Sequence, residues 1–406
     1  MNQNGNEYEQ IVTRTAKELA NIMKVTPSQR LKDMVKKLLG RSTRTKDPMF
    51  WPSGMLMLGL TEAISNYKDD PELESTIRKA LDAHTHLWQD EYGSRIRFVD
   101  DALAGFSMLR LQDGESSESY RKGQEIIREY LKAAKTDSQG AIIYNPGKGN
   151  MNIFADGIGQ VTMFMAADTR SRLSADEASF DTQTQNDLNY YSASDYVSII
   201  GKIYTQLMNF YYHGRDEKSG LLYHGYLISP DKYDADGNAL CEKKGLLGWG
   251  RAHGWMMLGL SEAALLEKGL STKIKDKKEW SGFDIIPWFM ELCDVAAEYQ
   301  RIDGGWSWQI NAVDGHIDMS ATGMIAYSIA RAYEGGLFDA DETRKEKVKN
   351  SLLKARESML EHTRNGIVTD ALGSCDDFAV HYQNYGNYPW GQGAVLAALS
   401  VIDRIN

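Results

Sequence analysis

The chain has 406 residues, of which 42% are hydrophobic and 25% are charged, and its formal net charge is −10. This composition supports a large buried core, and the acidic balance argues against a nucleic-acid-binding protein, which needs a basic face. No stretch approaches the roughly 18 consecutive apolar residues of a membrane span. The first residues contain no apolar signal core, and we predict a cytoplasmic or periplasmic protein that does not bind membranes.

Three cysteines are spread along the chain without any CxxC spacing, at Cys241, Cys293 and Cys375. This pattern signals neither a zinc site nor a disulfide framework. We predict free thiols and no metal site.

Two kinds of helix alternate along the chain. Six segments are amphipathic, as helices that cover a core are: 8–23, 71–88, 117–134, 186–211, 280–299 and 342–362. Six apolar, glycine-rich segments lie between them and read as buried helices: 51–63, 100–111, 155–166, 247–265, 320–332 and 390–402. This alternation predicts an all-α fold, an (α/α)6 barrel, in a single domain that covers residues 1–406. Small hairpins are expected only in short loops such as 221–228 and 306–310.

An internal repeat supports the ring. GMLMLGLTEA (residues 54–63) and GWMMLGLSEA (residues 254–263) agree at seven of ten positions. If the inner helices run in parallel, their N-terminal ends open at one mouth of the barrel. Polar and aromatic residues at these ends are the candidate site residues: Trp51, Asp100, Asp156, Trp249, Arg251, His253, Trp255, Ser320, Trp390 and Gln392.

The segment from Trp249 to Trp255 combines two indoles, a guanidinium and an imidazole. Aromatic faces stack on sugar rings, and a guanidinium can bind a carboxylate through two parallel hydrogen bonds. The segment therefore suits a sugar acid. The alternative is a core helix with a capping arginine.

Asp156 is a lone acid in an apolar helix, and Asp100 is the natural second carboxylate. Burial and a nearby second carboxylate both favour the protonated form of a carboxyl group, which a general acid requires. The alternative for either residue is a capping or first-turn carboxylate at a helix N-terminus. His224 lies in a loop among aromatic residues and joins the candidates.

Six motifs follow one another over nearly the whole chain: VDDALAG (99–105), FADGIGQVTMFMA (154–166), LLYHGY (221–226), WGRAHGW (249–255), DMSATGMIAY (318–327) and YPWGQG (388–393). Together they resemble the unsaturated glycuronyl hydrolases of glycoside hydrolase family 105, with family 88 as close kin. The resemblance implies an (α/α)6 barrel that hydrates the double bond of a 4,5-unsaturated uronic acid. The uronic acid is thereby removed from the non-reducing end of an oligosaccharide, without a metal or organic cofactor.

The resemblance also implies roles for individual residues. Asp156 matches the catalytic acid/base, Asp100 its partner acid, and His224 the active-site histidine. The sugar-binding cluster falls on Trp249, Arg251 and Trp255, and Arg251 is expected to bind the uronate carboxylate.

One position departs from the family pattern. Many members have RGNGW where this chain has RAHGW, so His253 replaces an amide beside the pocket. We expect His253 to contact the sugar acid or the neighbouring sugar.

Two other functions remain open on the sequence. A sugar 2-epimerase or isomerase of the same barrel would use His224, His253, Arg251 and His381 as acid/base groups. A non-catalytic glycan-binding toroid would bind sugar through its aromatic residues, and its acids would only cap helices.

For the hydrolase, we expect a monomer or homodimer that acts on rhamnogalacturonan- or ulvan-type products. Glycosaminoglycan disaccharides come second because no Lys/Arg cluster for sulfate is visible.

Overall fold

The structure is a computed structural model that describes residues 3–25, 34–35, 47–67, 70–111, 113–147, 150–181, 193–237, 239–271, 283–375, 378 and 383–405. Within these ranges there are twelve α-helices: α1 (Gln3–Ile22), α2 (Trp51–Ile64), α3 (Pro71–Asp90), α4 (Ala102–Leu109), α5 (Ser117–Lys132), α6 (Ala155–Asp181), α7 (Ala193–His213), α8 (Gly250–Ser271), α9 (Ile285–Glu298), α10 (Met319–Glu334), α11 (Glu342–Glu361) and α12 (Pro389–Ile405). A short 3-10 turn, Val99–Asp101, leads into α4. The starts predicted for two covering helices, at residues 186 and 280, lie outside the described ranges.

The even-numbered helices form a closed inner ring. Each contacts the next, from α2 through α4, α6, α8 and α10 to α12, and α12 packs against α2 again. The odd-numbered helices cover this ring, and each packs on the inner helix that follows or precedes it in the chain. The predicted all-α fold, an (α/α)6 barrel, is confirmed. That the whole chain forms one domain stays a prediction.

Glycine in the inner helices allows backbones to touch. A Cβ atom on Gly159 in α6 would lie 2.0 Å from the carbonyl oxygen of Trp255 in α8. One on Gly59 in α2 would lie 2.6 Å from the carbonyl oxygen of Gly393 in α12. These contacts exclude any larger residue, which explains why the ring tolerates the cost of about 1 kcal/mol for glycine in a helix.

Covering helices show the complementary pattern. In α3 the Asp70 side chain accepts a hydrogen bond from the Leu73 N–H, and Pro71 occupies the first turn, so the helix start is well defined. Its buried face is made by Ile77, Leu81 and similar residues at helical spacing. No helix in the described ranges is long and apolar enough to cross a membrane.

An ionic network closes the C-terminal end of the ring. Glu62 in α2 and Glu262 in α8 occupy equivalent positions of the internal repeat, and both are fully buried. Arg404 lies 2.8 Å from Glu62, and Arg331 lies 3.1 Å from Glu262. Burial alone would raise the pKa of Glu62, but Arg110, Arg331 and Arg404 lower it to about 2. The charges at this end are therefore paired within the fold.

The barrel carries more β-structure than the sequence indicates. β1 (Ile153–Phe154), β2 (Gly225–Tyr233) and β3 (Ala239–Lys244) form an antiparallel sheet in the order β1-β2-β3. Phe154 pairs with Gly225, and Gly225 pairs with Lys244. The hairpin expected at 221–228 thus begins later and is longer. It was hard to predict because burial along β2 does not alternate and Pro230 interrupts the run.

Other pairings near the mouth are short. Residues 306–310 contribute only isolated bridges. β4 (Thr363–Arg364) pairs with β5 (Ile367–Val368), and β6 (Ala371–Leu372) pairs with β7 (Tyr385–Gly386). The last pair holds the chain beside the start of α12.

Candidate active site

A cavity of about 460 Å³ opens at the N-terminal ends of the inner helices. Seven of the residues predicted for the site line it: Trp51, Asp156, His224, Trp249, Arg251, Trp255 and Trp390. They come from α2, α6, α8 and α12 and from the segment before β2. The prediction that helix starts from distant parts of the sequence meet at one mouth therefore agrees with the structure.

Asp156 lies on the cavity wall in the first turn of α6. Its side chain is 19% exposed, and one of its carboxylate oxygens lies 3.2 Å from Nε2 of His224. The backbone supports the same contact, because the Ala155 N–H donates to the His224 carbonyl at 2.9 Å. Asp156 is thus less enclosed than its apolar sequence neighbours suggest, and it is accessible to a molecule in the cavity.

His224 is held between aromatic rings. Its ring centroid lies 4.2 Å from that of Trp249 and 5.1 Å from that of Phe154, which in turn stacks on Phe378. Only 3% of the side chain is exposed, and Nδ1 has no hydrogen-bond partner among the described residues. The imidazole is therefore fixed against Asp156 with little freedom to turn.

Asp100 lies behind the wall and does not line the cavity. Its carboxylate is fully buried and accepts hydrogen bonds from the Tyr144 hydroxyl and, at 3.2 Å, from Nε2 of Gln160. Burial raises the pKa of Asp100 well above its usual range, and the nearby charges of Asp156 and Asp101 raise it further. Tyr144, which lines the cavity, separates this buried acid from the open space.

Arg251 is buried beneath the aromatic wall, with its guanidinium 4.8 Å from the centre of the Trp249 ring. It donates to the carbonyl oxygens of Leu372 at 2.8 Å and Gly373 at 2.9 Å. A carboxylate oxygen of Asp318 lies 3.8 Å away and offsets part of its charge. Much of the guanidinium is therefore already used to hold Ser320 and the residues at the end of β6, and Arg251 also lines the cavity.

Three tryptophans from separate helices form a continuous aromatic surface. Trp51 packs against Trp390 with ring centroids 4.7 Å apart and against Trp255 at 5.9 Å. Tyr388 stacks on Trp390 at 4.7 Å with the ring planes 7° apart. A surface of this kind offers the apolar faces that a sugar ring needs for stacking.

Three residues predicted for substrate binding do not line the cavity, because their side chains turn into the wall. Ser320 is buried and donates through its hydroxyl to Asp318 at 2.5 Å at the start of α10. Gln392 is also buried, and its amide bonds to the backbone of Val368 and Gly366. The polar atoms of both side chains are used in hydrogen bonds to other protein groups around the mouth of the barrel.

His253 is the third. It is 2% exposed, and its two ring nitrogens bond to the backbone of Trp249 and Leu222, each at 3.0 Å. Burial lowers the pKa of His253 to about 4, so the ring is neutral near pH 7. His253 therefore cannot offer a charge to a sugar acid. His381, considered for an epimerase, lies outside the described residues.

Several cavity residues were not anticipated as site residues. They come from irregular segments and from the residue before the first inner helix: Phe50, Tyr144, Asn145, Asn150, Phe154 and Ser374. Periodicity does not reveal such residues, because loops bring them to the site through tertiary contacts.

Comparisons with known proteins agree with this architecture. A scan of protein-family models matches residues 16–405 to Glycosyl Hydrolase Family 88. A search of curated protein sequences finds no match.

Among solved structures, a possible member of family 105 from Klebsiella pneumoniae has a TM-score of 0.71 at 15% identity, covering 100% of this chain and 95% of that chain. A family 105 glycoside hydrolase from C. acetobutylicum has a TM-score of 0.63 at 18% identity, covering 92% and 99%. The unsaturated glucuronyl hydrolase of Bacillus sp. GL1 has a TM-score of 0.63 at 13% identity, covering 98% and 94%.

At these identities the structural likeness establishes the fold, whereas the family match extends over nearly the whole chain. The predicted kinship with family 88 is confirmed, and the chain shares the fold of a solved member of family 105. The chain belongs to glycosyl hydrolase family 88 and is a glycoside hydrolase.

Proposed function

We propose that this glycoside hydrolase removes a 4,5-unsaturated uronic acid from the non-reducing end of oligosaccharides that polysaccharide lyases produce. The observation that carries the proposal is the accessible Asp156 carboxyl, 3.2 Å from His224 and backed by the buried acid Asp100, in a cavity walled by indoles. Relatives of the same fold are described as unsaturated glucuronyl hydrolases. An aromatic cavity with one accessible acid and one buried arginine suits a flat, acidic sugar.

In this reaction Asp156 in its acid form donates a proton to C4 of the enol ether, and water adds at C5. Asp156, now a carboxylate, accepts a proton from that water and is regenerated. The product is a hemiketal at C5. It opens to a ketone, and the hemiacetal at C1 then releases the aglycone as an alcohol and leaves an aldehyde, so no group attacks C1 directly.

The surrounding residues support this step. His224 fixes the orientation of the Asp156 carboxyl, and the buried, proton-retaining Asp100 limits the negative charge close to it. Arg251 binds the uronate carboxylate, and the ring stacks on the tryptophan surface. Positioning of the alkene carbon against Asp156 supplies much of the rate in such a scheme.

The same geometry weighs against the two alternatives. An epimerase that used His253 would need a ring nitrogen free to exchange protons, yet both ring nitrogens of His253 are bonded to the backbone. A non-catalytic binder would have no use for an accessible acid paired with a histidine and a second, buried acid.

The test is an ultraviolet assay on a panel of lyase-generated oligosaccharides, each paired with its saturated counterpart. We expect the absorbance of the conjugated enoate to fall as the aglycone appears, and the saturated uronides to remain intact. Release of saturated uronides at a comparable rate would contradict hydration of the double bond.

Within the panel, we favour rhamnogalacturonan- and ulvan-type substrates. A monomer or homodimer and a cytoplasmic or periplasmic location remain part of this proposal.

A further inference from the structure

The imidazole of His253 joins two backbone segments that carry the catalytic neighbourhood. It lies in the first turn of α8, one turn after Trp249, and Leu222 faces it from the segment that leads to His224. We propose that His253 is a positioning residue that holds His224 against Asp156 by fixing the Leu222 backbone to the start of α8. This inference rests on the proposed function for its kinetic consequence.

The hydrogen bonds define the state of the ring. Because the Leu222 N–H can only donate, Nε2 of His253 must be the acceptor in their 3.0 Å contact. Nδ1 then carries the proton and donates to the Trp249 carbonyl at 3.0 Å. His253 is a neutral imidazole in one tautomer, and its two bonds point in opposite directions.

The Leu222 bond matters more than the Trp249 bond. The Trp249 carbonyl also accepts hydrogen bonds from the backbone of Ala252 and His253, at 3.1 and 3.3 Å. Leu222 is fully buried, and no other acceptor for its N–H is found among the described residues. Loss of Nε2 would therefore leave a buried donor without a partner, which proteins avoid by moving the backbone or admitting water.

A short chain of contacts links this bond to the acid. Leu222 also accepts a hydrogen bond from the Gly248 N–H at 2.9 Å, so one of its backbone groups is fixed to α8 and the other to the segment just before it. Two residues later, the His224 carbonyl accepts from Ala155 and its ring meets Asp156. A shift of Leu222 is therefore passed directly to the contact between His224 and Asp156.

Glutamine and asparagine give a matched pair of variants. A glutamine side chain places its amide oxygen near the position of Nε2, whereas asparagine reaches only the position of Nδ1. We expect His253→Gln to keep the acceptor for Leu222 and retain kcat within about 3-fold. His253→Asn should lower kcat by about 10- to 100-fold, the effect of a modest displacement of a catalytic group, with a smaller change in KM.

A double-mutant cycle with His224→Ala separates positioning from a general loss of stability. If His253 acts through His224, His253→Asn should cause little further loss of kcat once His224 is absent. An equal fold-loss in both backgrounds would overturn the proposal, as would equal activity of the Gln and Asn variants.

A second readout does not depend on turnover. Imidazole NMR signals of histidine-labelled protein should show the His224 ring displaced in His253→Asn and unchanged in His253→Gln. If wild type leaves the enoate intact, the proposed function fails, and the NMR comparison still decides the positioning role. His224 signals that are identical in all three proteins would refute it.

Discussion

Replacement of Asp100 tests its contribution to stability separately from its contribution to activity. In Asp100→Asn, the amide oxygen can still accept from Gln160, and the amide nitrogen can donate to the Tyr144 hydroxyl, so both hydrogen bonds of the wild type have a counterpart. Asp100→Ala leaves the buried Gln160 amide without this partner, at about 1–3 kcal/mol, whereas half-buried Tyr144 lines the cavity, where water can replace the lost acceptor. We therefore expect the Ala variant to be about 1–3 kcal/mol less stable than the Asn variant.

The raised pKa of Asp100 also predicts how the free energy of unfolding changes with pH. Burial raises the pKa of Asp100 above its unfolded-state value, so the folded protein binds this proton more tightly than the unfolded chain. The contribution of this proton to the free energy of unfolding is fully present below the unfolded-state pKa of about 3.9. It decreases by about 1.4 kcal/mol per pH unit as the pH rises towards the folded-state pKa. Asp100→Asn should lack this part of the slope.

Urea unfolding of wild type, Asp100→Asn and Asp100→Ala at several pH values measures these differences, and the enoate assay measures function. Asp100→Ala should lose more activity than Asp100→Asn, because the Asn variant keeps a neutral side chain and a counterpart for both hydrogen bonds at this position. A destabilised Asn variant with the wild-type pH slope would refute the assignment of Asp100 as a buried acid with a raised pKa.

Two further predictions concern the neighbouring charges. Burial and the charge of Asp47 raise the pKa of Asp101 to about 8, so stability should decline as pH rises from about 4 to about 8. Urea unfolding of Asp101→Asn should show a flatter dependence over that range, and an unchanged slope would contradict the raised pKa. Arg251→Lys should raise KM for the uronide by about 10-fold or more, because one ammonium cannot replace a planar fork that already serves two backbone carbonyls. Steady-state kinetics on the enoate decide this, and an unchanged KM would remove Arg251 from substrate binding.

The fold was predictable because the spacing of apolar residues distinguishes the inner helices from the covering helices. Inner helices are apolar on every side, and glycines such as Gly159 mark places where two backbones touch. β3 and most of β2 were not predicted, because β2 pairs with β1 from a distant part of the chain and lacks regular alternation. Local sequence carries little information about such a sheet.

The candidate site was predictable where residues begin an inner helix, as Asp156 and Trp390 do. Position at a helix start did not distinguish a side chain that faces the cavity from one that turns into the wall, which is why Ser320 and Gln392 were misplaced. Tyr144 was missed because it lies in an irregular loop and reaches the site only through tertiary packing.

The most direct test of Asp156 as the proton donor compares wild type with Asp156→Asn on one unsaturated disaccharide, by ultraviolet single-turnover kinetics and by equilibrium binding. We predict that the variant binds the disaccharide within about 10-fold of wild type but consumes the enoate at least about 10³-fold more slowly, because the proton donor to C4 is gone. An Asp156→Asn variant that still consumes the enoate at the wild-type rate would contradict this role of Asp156.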